Sequence, residues 1–500
     1  STLYGSSAIG GVINIITRES DDPWNLNLNS RFSEHNDHRY GGTVGFNAGK
    51  FNSLTNVQYN NVDTYGVDNP GDFSTVFGSR VWNFKERLIY HPLETLKLTA
   101  RAGYYFRERN KPGDTQDRYR DFNGGLKANY TFNTLSNLEV GYTFDQYDKS
   151  DYQVLYKNDV RDYSNVQHNV HALYNYTFNE KHTLTVGADY LRDYLMSYQF
   201  TDNANYIMHT ADAFGQFDWN PTERLNVIAG LRFDYFSDSN VRHLSPHLGM
   251  MYKIGNCSLR GSYSQGFRSP TLKEMYMVFN MANMMMIYGN PDLKSETSHN
   301  FSLSAEYTKN RYNFSVTGYY NLVHNRINTV YSDDPKGQIY TNTDKVDIAG
   351  VDANISAKYP CGLGFRMSYT YIHEFMRDGQ KKFTDTRPHT ATVRVDWGEN
   401  LDKVDFNYSL NGRILSEVKT NVYNDSFNNP AAGSTAVTYP GYMIWDLTFS
   451  VGVFKGVNMN LAINNLFNYV PDYYYFNSPT TTGANLTLGL SLDIDRFFKK

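Results

Sequence analysis

The feature that most constrains this chain is a two-residue alternation of apolar and polar side chains, repeated in many segments along its 500 residues. In the stretches 96–102, 225–234 and 486–494, every second residue is Leu, Val, Ala, Ile or Phe, and most residues between them are polar or glycine. Successive side chains of a β-strand point to opposite faces, so this period predicts strands with one apolar and one polar face. The predicted fold class is therefore all-β.

The connections between these segments alternate between short and long. Turn-forming residues predict short connections at Gly49-Lys50, His91-Pro92, Asn133-Thr134, Asn179-Glu180, Asn220-Pro221, Gly255-Asn256, Lys309-Asn310, Pro360-Cys361, Asn400-Leu401 and Lys455-Gly456. The other connections are mostly long and polar, near 63–79, 108–116, 149–161, 271–296, 331–337, 375–386, 418–436 and 469–482. Periplasmic turns and longer extracellular loops are typical of outer-membrane barrels. The pattern predicts an antiparallel transmembrane β-barrel of about 22 strands, a number found in plugged transporters, with a soluble multi-sandwich protein as the alternative.

The barrel prediction assigns a direction to each strand face. In lipid the apolar face points outward, so we expect lipid contact for Leu486, Leu488 and Leu490. A Lys or Arg on the lipid face costs about 2–4 kcal/mol at the bilayer midplane. We therefore expect four charged residues to face the lumen: Lys97, Arg101, Arg232 and Asp234.

Composition narrows the class further. The chain has 42 tyrosines and 16% aromatic residues, yet its mean hydropathy is −0.57. No run of about eighteen apolar residues occurs, which argues against a membrane-spanning helix. A polar average with many tyrosines fits a barrel whose apolar band is diluted by a polar interior, with the lipid bilayer as a partner. The formal net charge of −4 argues against a nucleic-acid partner.

Sequence signatures of catalysis are lacking. There is no Gly-rich phosphate loop after a buried strand, no HExxH and no GxSxG, so we predict that the chain is not an enzyme. The two cysteines, Cys257 and Cys361, are predicted at the periplasmic end, roughly three or four strands apart at about 4.8 Å per strand. This separation exceeds the roughly 7 Å between Cα atoms that a disulfide allows, so no disulfide is expected.

Ser1–Arg18, with the sequence STLYGSSAIGGVINIITR, carries a specific resemblance. It resembles the closing segment of the plug domain of TonB-dependent outer-membrane receptors, where a LYGxxAIGGVINIIT pattern recurs. The resemblance implies that residues 1–20 are the C-terminal end of a plug domain and that residues 21–500 are the barrel. It also implies a bacterial outer-membrane location and TonB as a partner, bound through an N-terminal segment that is missing from this chain.

The stretch 266–296 carries a second resemblance. Phe267-Arg268-Ser269-Pro270 resembles the FRAP box of haem receptors, with Ser269 in place of alanine, and Asn290-Pro291-Asp292-Leu293 resembles their NPDL box. Asn464-Asn465-Leu466-Phe467 matches the NNLF element before the last loop of such receptors. The chain is thus most similar to haem receptors of the HmuR kind, although both boxes also occur in receptors for other metal chelates. Because proline lacks a backbone donor, Pro270 is expected to end a strand and begin a long loop without regular structure, residues 271–289.

This predicted loop holds six of the chain's 14 methionines: Met275, Met277, Met281, Met284, Met285 and Met286. Receptors of the HmuR kind usually carry a histidine between the two boxes as an axial iron ligand, and the interval 271–289 has none. A thioether sulfur can also ligate haem iron, so the candidate axial ligands are Met281, Met284, Met285 and Met286. The candidate ligand-binding set adds Met275, Met277, Tyr288 and Arg268. The competing interpretation is an adaptable apolar surface that contacts plug, ligand or partner without ligation.

The predicted function is TonB-dependent import of an iron-containing ligand into the periplasm, with haem as the leading candidate. Haem is expected as a transported ligand and not as a permanently bound cofactor, and a surface haem-binding lipoprotein is a candidate partner. Two alternatives stay open: a receptor for another chelate, such as cobalamin or a ferric siderophore, and a surface binding or adhesion barrel without import. The interval 271–295 has Lys273 and Lys294 against Glu274 and Asp292, a balance that favours a flat apolar ligand.

Overall fold

The computed structural model describes residues 19–20, 22–67, 75–201, 204–237, 240–281, 285–343, 345–375, 381–384, 386–401, 404–425, 428–472, 479 and 481–498. Within these ranges the chain forms β1 (Trp24–Phe32), β2 (His38–Ala48), β3 (Phe51–Val62), β4 (Tyr65–Gly66), β5 (Thr75–Val76), β6 (Ser79–Leu93), β7 (Leu96–Asn110), β8 (Thr115–Asn133), β9 (Ser136–Gln153), β10 (Asn158–Phe178), β11 (His182–Ser197), β12 (Asn205–Trp219), β13 (Leu225–Phe236), β14 (Val241–Ile254) and β15 (Cys257–Arg268). After α1 (Leu272–Tyr276) come β16 (Val278–Met281), β17 (Met285–Tyr288), β18 (Glu296–Lys309), β19 (Tyr312–His324), β20 (Arg326–Asp333), β21 (Lys336–Thr343), β22 (Val346–Lys358), β23 (Leu363–Phe375), β24 (His389–Leu401), β25 (Val404–Leu415) and β26 (Val418–Tyr423). A 3-10 helix (Pro430–Ala432) precedes β27 (Ser434–Tyr439), β28 (Tyr442–Phe454), β29 (Val457–Asn464), β30 (Asn485–Asp493) and α2 (Ile494–Phe498).

Most of these strands form one closed, 22-stranded antiparallel sheet. It closes because β1 pairs with β30, with Leu28 opposite Leu492. The remaining strands form small sheets at the outer end: β4 with β5, β26 with β27, and a four-stranded outer sheet of β16, β17, β21 and β20. None of the helices in the described ranges has the length and hydropathy needed to cross a membrane. The predicted all-β barrel and its strand number are confirmed.

The two faces of the barrel wall separate as the alternation predicts. Leu486, Leu488 and Leu490 are exposed on the outer face. On β13, Leu231 and Phe233 are exposed outward, whereas Arg232 and Asp234 are buried on the inner face. Inner-face contacts place the other two charged residues in the lumen: Lys97 lies 2.5 Å from Glu19, and Arg101 lines a small cavity with Glu139 and His171.

Two of the predicted long loops are mainly strand. β7 and β8 are joined by residues 111–114, and β9 and β10 by residues 154–157, so both hairpins continue past the predicted loop starts at 108 and 149. We call residues 107–120 and 148–162 the charged hairpins, because their charged side chains pair across the sheet. Lys111 Nζ lies 3.1 Å from Asp117 and 3.0 Å from Asp151, and Lys149 Nζ lies 2.9 Å from Asp162. These ion pairs allow charged residues to lie in strands, although their polarity led to the prediction of loops at 108–116 and 149–161.

The segment after Pro270 also differs from the prediction of an unstructured loop. Residues 271–289, the methionine segment, contain α1 and the β16–β17 hairpin. Thr271 and Glu274 form a capping box that starts α1. The hairpin extends the β20–β21 hairpin through a parallel pairing of β17 with β21, in which Ile287 lies opposite Gln338. The predicted loop near 331–337 is therefore part of the same outer sheet.

Smaller corrections concern the turns and the cysteines. β6 runs through His91-Pro92 to Leu93, so the turn lies later than predicted. Cys257 opens β15 and Cys361 lies between β22 and β23, three strand pairings away through β18 and β19. Both cysteines are free thiols.

Candidate ligand-binding site

The site begins where β15 separates from its neighbour. β15 pairs with β14 as far as Ser264, but it continues to pair with β18 up to Arg268. Phe267 fills the opening: its ring stacks on His243 with centroids 4.3 Å apart and meets Phe236 edge-on at 5.6 Å. Phe267, the first residue of the FRAP-like box, is thus a packing residue in the barrel wall.

An apolar cluster fixes the methionine segment to the strand ends. Its buried members are Leu195, Phe200, Met208, Phe236, Phe267, Leu272 and Met275. Met275 is 2% exposed and Met277 is 7% exposed. Their burial leaves almost no side-chain surface for a ligand, so these two predicted contact residues hold the segment in place instead.

Arg268 is held by two carboxylates. Its Nη1 donates to Glu274 at 2.9 Å, and its Nε donates to Glu296. Glu296 Oε1 also accepts from the backbone N–H of Ile327 at 3.2 Å. This ion-pair network links the end of β15 to α1 and to the start of β20. Arg268, the arginine of the FRAP-like box, therefore has a structural role.

The NPDL-like box, residues 290–293, forms a turn at the end of the methionine segment. The N–H of Asn290 donates to the carbonyl of Glu274 at 2.9 Å, and its side-chain oxygen accepts from the N–H of Asp292 at 2.9 Å. Leu293 is buried. Just before the box, the N–H of Gly289 donates to the carbonyl of Met277. An added Cβ at Gly289 would lie 2.6 Å from the Met275 carbonyl, so the close approach requires glycine.

Lys273 is the cation of α1 that faces the barrel. Its Nζ lies 4.8 Å from the centroid of the Tyr163 ring. Burial lowers the pKa of Lys273 below 10.5, since the half-buried position disfavours the charged amine. The cation–π contact offsets part of this cost and holds α1 against β10.

The remaining candidates lie on the outer sheet. Met281 is 41% exposed and lies directly opposite Met285 in the β16–β17 hairpin. Met285, Met286 and Tyr288 are half-buried. Met284 lies outside the described residues. Among the described methionines of the methionine segment, Met281, Met285 and Met286 therefore have surface available to a ligand.

A second feature, which sequence reasoning missed, is a basic cavity of about 530 Å³ on the inner wall. Its lining includes Arg366, Arg394 and Arg413 with Ser368, Thr392, Asn411 and Asp446. Arg366 lies directly opposite Arg394, and Arg413 lies opposite Thr392. Arg394 donates to Asp396 at 2.8 Å, but within the described ranges Arg366 and Arg413 have no anionic partner. Like charges directly opposite each other destabilise a sheet; Asp396 offsets the charge of Arg394, but the positive charge of Arg366 and Arg413 is not offset by an ion pair in the described residues.

Sequence alone could have suggested that these arginines face inward, because each lies on the polar side of an alternating segment. Their proximity depends on register. β24 and β25 meet at Leu401 and Val404, not at a turn centred on Asn400-Leu401. That shift changes every cross-strand partner, and so the cluster could not be read from the predicted turn.

The comparisons with known proteins agree with this architecture. Residues 89–466 match the family model described as TonB dependent receptor-like, beta-barrel. The chain is 23% identical to the "Iron-regulated outer membrane virulence protein" of Vibrio cholerae serotype O1, covering 98% of this chain and 78% of that protein. It is 22% identical to the "Heme/hemopexin utilization protein C" of Haemophilus influenzae, covering 56% of this chain and 44% of that protein. The crystal structure of the siderophore receptor PirA from Acinetobacter baumannii has a TM-score of 0.81 at 16% identity, covering 99% of this chain and 84% of that one.

A closed 22-stranded barrel with an elaborated outer end and a polar inner wall defines a plugged-receptor type of transporter. The chain belongs to the TonB-dependent receptor family, because the family model covers more than half of its length. Such receptors are Gram-negative outer-membrane transporters and not enzymes, so these two predictions are confirmed.

Proposed function

We propose that this receptor imports an iron chelate that carries negative charge, of the ferric siderophore type. The observation that carries the proposal is the basic cavity. Arginines present planar donors that match carboxylate and catecholate oxygens, and charge-assisted hydrogen bonds are about twice as strong as neutral ones. An anionic chelate would offset the repulsion between Arg366 and Arg394. The similarity to an iron-regulated outer-membrane protein supports an iron-related ligand, and a siderophore receptor shares the fold.

The test compares uptake of an anionic ferric siderophore by two variants in cells. R366Q/R394Q/R413Q removes the positive charges of the cavity, whereas Arg260→Gln removes an inner-wall arginine that is paired with Glu306 at 2.7 Å. We expect the triple variant to lose about tenfold or more in apparent affinity, and the control to change little. Equal loss in both variants, or no loss in the triple variant, would contradict the proposal.

Haem is the second candidate, and the partly or fully exposed thioethers of the β16–β17 hairpin favour it. Met281, Met285 and Met286 lie on one hairpin, and a sulfur ligand to haem iron changes the absorption spectrum of the haem. If sulfur ligates the iron, M281A/M285A/M286A should weaken haem binding and shift that spectrum while leaving the barrel folded. An unchanged spectrum and affinity would exclude these three residues as axial ligands. The similarity to a haem utilization protein supports testing both ligands on the same preparation.

We further propose that residues 1–20 are the end of a plug domain and that the segment enters the lumen at the periplasmic end. Ser1–Arg18 lie outside the described residues, but Glu19 and Ser20 support this assignment. Glu19 contacts Lys97 at 2.5 Å and Arg87 at 3.3 Å, and its pKa is lowered, first by the hydrogen bond from Lys97. The carbonyl of Ser20 accepts from the side-chain amide of Asn52 at 2.7 Å. All three partners lie on the inner wall.

A cysteine cross-link tests that assignment. In a variant carrying Glu19→Cys and Lys97→Cys, a disulfide should form in the oxidising periplasm and reduce uptake reversibly. A pair on opposite faces, Glu19→Cys with Leu98→Cys, is the control that should stay unlinked. Cross-linking of the control instead would contradict the assignment.

A further inference from the structure

Four tyrosine–histidine pairs with nearly the same geometry lie on the barrel wall. In each pair the tyrosine lies on a strand that follows a short turn, and the histidine lies on the next strand of the barrel. The pairs are Tyr142–His168, Tyr190–His209, Tyr263–His299 and Tyr369–His389, with distances from phenol oxygen to Nδ1 of 2.9, 2.8, 3.0 and 2.7 Å. Their ring centroids are 6.2, 6.0, 6.1 and 6.1 Å apart, and their interplanar angles are 29°, 21°, 18° and 27°.

The pairs also share one register. The residues directly opposite the four tyrosines are Val170, Ala211, Phe301 and Ala391, and each histidine lies two positions earlier in the chain. Diagonal neighbours of this kind are within reach of aromatic side chains. Tyr320 makes the same diagonal contact, but to a carboxylate: it donates to Asp347 at 2.9 Å, and the residue opposite it is Ala349.

The pairs lie on the lipid-facing side, where the apolar band begins to give way to polar side chains. The strand period places them on the same face as exposed residues nearer the periplasmic turns: Val140, Val186, Leu259, Leu303, Leu363 and Trp397. Toward the outer ends of the strands, this face becomes mixed: it carries the polar residues Gln146, Arg192, Gln265 and Thr297 together with the exposed apolar residues Ile207 and Phe375. The histidines therefore lie at the boundary between the hydrocarbon region and the outer headgroup region.

Each of the four histidines has a hydrogen-bond contact at one ring nitrogen, Nδ1. We assign the phenol as the donor in each pair, because it is a stronger acid than a neutral imidazole N–H; Nδ1 then accepts and the ring proton resides on Nε2. In the part of the chain that the structure describes, none of the four Nε2 atoms has a hydrogen-bond partner. Each pair thus holds one N–H donor in a fixed orientation at the membrane boundary. At His209 a cation adds to the donor, because Arg192 lies directly opposite.

We propose that these four pairs, the tyrosine–histidine belt, bind phosphate groups of the phosphorylated glycolipid in the outer leaflet. The belt lies at the outer end of the barrel, which faces the glycolipid leaflet of a Gram-negative outer membrane. Phosphate oxygens are strong acceptors that Nε2–H groups and Arg192 can bind together. The belt would fix the depth and tilt of the barrel, a role separate from import of a ligand through the lumen.

The direct test is a solid-state NMR measurement on the full chain with ¹⁵N-labelled histidine. The protein is placed in vesicles of phosphatidylethanolamine and a bisphosphorylated glucosamine lipid, whose monoester phosphorus is resolved from the phosphodiester. We expect dipolar contact between Nε2 and the monoester phosphorus. Contact with the phosphodiester alone, or no phosphorus contact in the folded wild-type protein, would overturn the proposal without any variant.

Variants give the second readout, retention of the glycolipid during purification. H168F/H209F/H299F/H389F keeps the aromatic rings but removes every Nε2–H, so affinity for the glycolipid should fall about fivefold or more at each site. Y142F/Y190F/Y263F/Y369F keeps the histidines but frees their rings, and an intermediate loss is expected. Tyr320→Phe is the matched control, because Asp347 offers no donor, and retention should not change. Equal retention in the folded histidine variant and in wild type would overturn the proposal.

Discussion

The charged hairpins and the methionine segment both lie at the outer end of the barrel, but different interactions hold them in place. In the charged hairpins the barrel sheet continues outward, and lysines, arginines and carboxylates pair across it. The methionine segment leaves the sheet at Pro270 and is held by buried Met275 and Leu272, by the Arg268 ion pairs and by close backbone contact at Gly289. The methionine segment combines ion pairs with apolar burial, which resists salt and acid, whereas the side chains of the charged hairpins are held by ion pairs, which do not. The two regions should therefore fail under different conditions.

The largest effect is expected when Met275 is shortened. Met275→Ala should lower the free energy of opening of the methionine segment by about 2–5 kcal/mol, because it leaves a cavity in a buried cluster. The measurement is hydrogen exchange at the amides of Met277 and Gly289, which bond within the segment. Met281→Ala is the matched control, since Met281 is exposed, and it should change the same quantity by less than about 0.5 kcal/mol. Similar effects of both changes would show that the cluster does not hold the segment.

A smaller effect is expected at the close backbone contact. Gly289→Ala places a Cβ 2.6 Å from the Met275 carbonyl, so the hairpin must shift away from α1. Overpacking of this kind costs about 1–3 kcal/mol. Limited proteolysis of residues 271–289 should become faster, while heat-induced unfolding of the barrel stays unchanged. Gly318→Ala provides the comparison, because an added Cβ there meets nothing within 4 Å. Equal rates of proteolysis in the two variants would show that the close approach at Gly289 does not hold the hairpin against α1.

In the charged hairpins, Asp117 should be the most sensitive carboxylate. Its side chain is buried and pairs with Arg109 and Lys111, whose own side chains are partly exposed. Asp117→Asn should therefore destabilise the hairpin tips by about 1–2 kcal/mol, a value reduced by solvent screening. Exchange at the amide of Val154, which donates to the carbonyl of Asp114, reports on the tip. Asp114→Asn is the surface control and should leave that amide unaffected.

Low pH should produce a larger difference in amide protection between the charged hairpins and the methionine segment than high salt does. Burial raises the pKa of Asp117, but hydrogen bonds from Lys111 and Arg109 outweigh burial and hold that pKa below 3.8. A depressed folded pKa gives stability that is present above pH 3.8 and is lost as the pH falls through the folded value. The Val154 amide should lose protection in that range, whereas Gly289 should keep its protection. Loss of protection at both amides in the same pH range would remove the distinction.

The smallest effect is expected at the rim of the charged hairpins. Arg161 is 55% exposed and lies 3.6 Å from Asp148, a buried carboxylate that also accepts a hydrogen bond from Gln146 at 2.9 Å. Arg161→Gln should change the stability of the tip by less than about 0.5 kcal/mol, because solvent screens a long contact to an exposed guanidinium. A change as large as that of Asp117→Asn would show that the whole charge network acts as one unit.

The period of two in the sequence determined the all-β class, the direction of each strand face and, with the short turns, the number of barrel strands. Leu486 and Arg232 face as predicted because the choice between lipid and lumen is local to each residue. The sequence also marked the methionine segment as distinct, through Pro270 and the cluster of methionines.

Tertiary structure alone decided which polar stretches are strands, which methionines are buried and which arginines meet. Residues 108–116 and 149–161 become hairpins because their charges find partners across the sheet, and such partners are specified by register over long chain separations. Met275 and Met281 have the same side chain and lie six positions apart, yet one is 2% and the other 41% exposed. Packing against β11, β12 and β13 buries the first, and no local pattern encodes that contact. Arg366, Arg394 and Arg413 come together for the same reason: strand pairing joins residues that the sequence keeps apart.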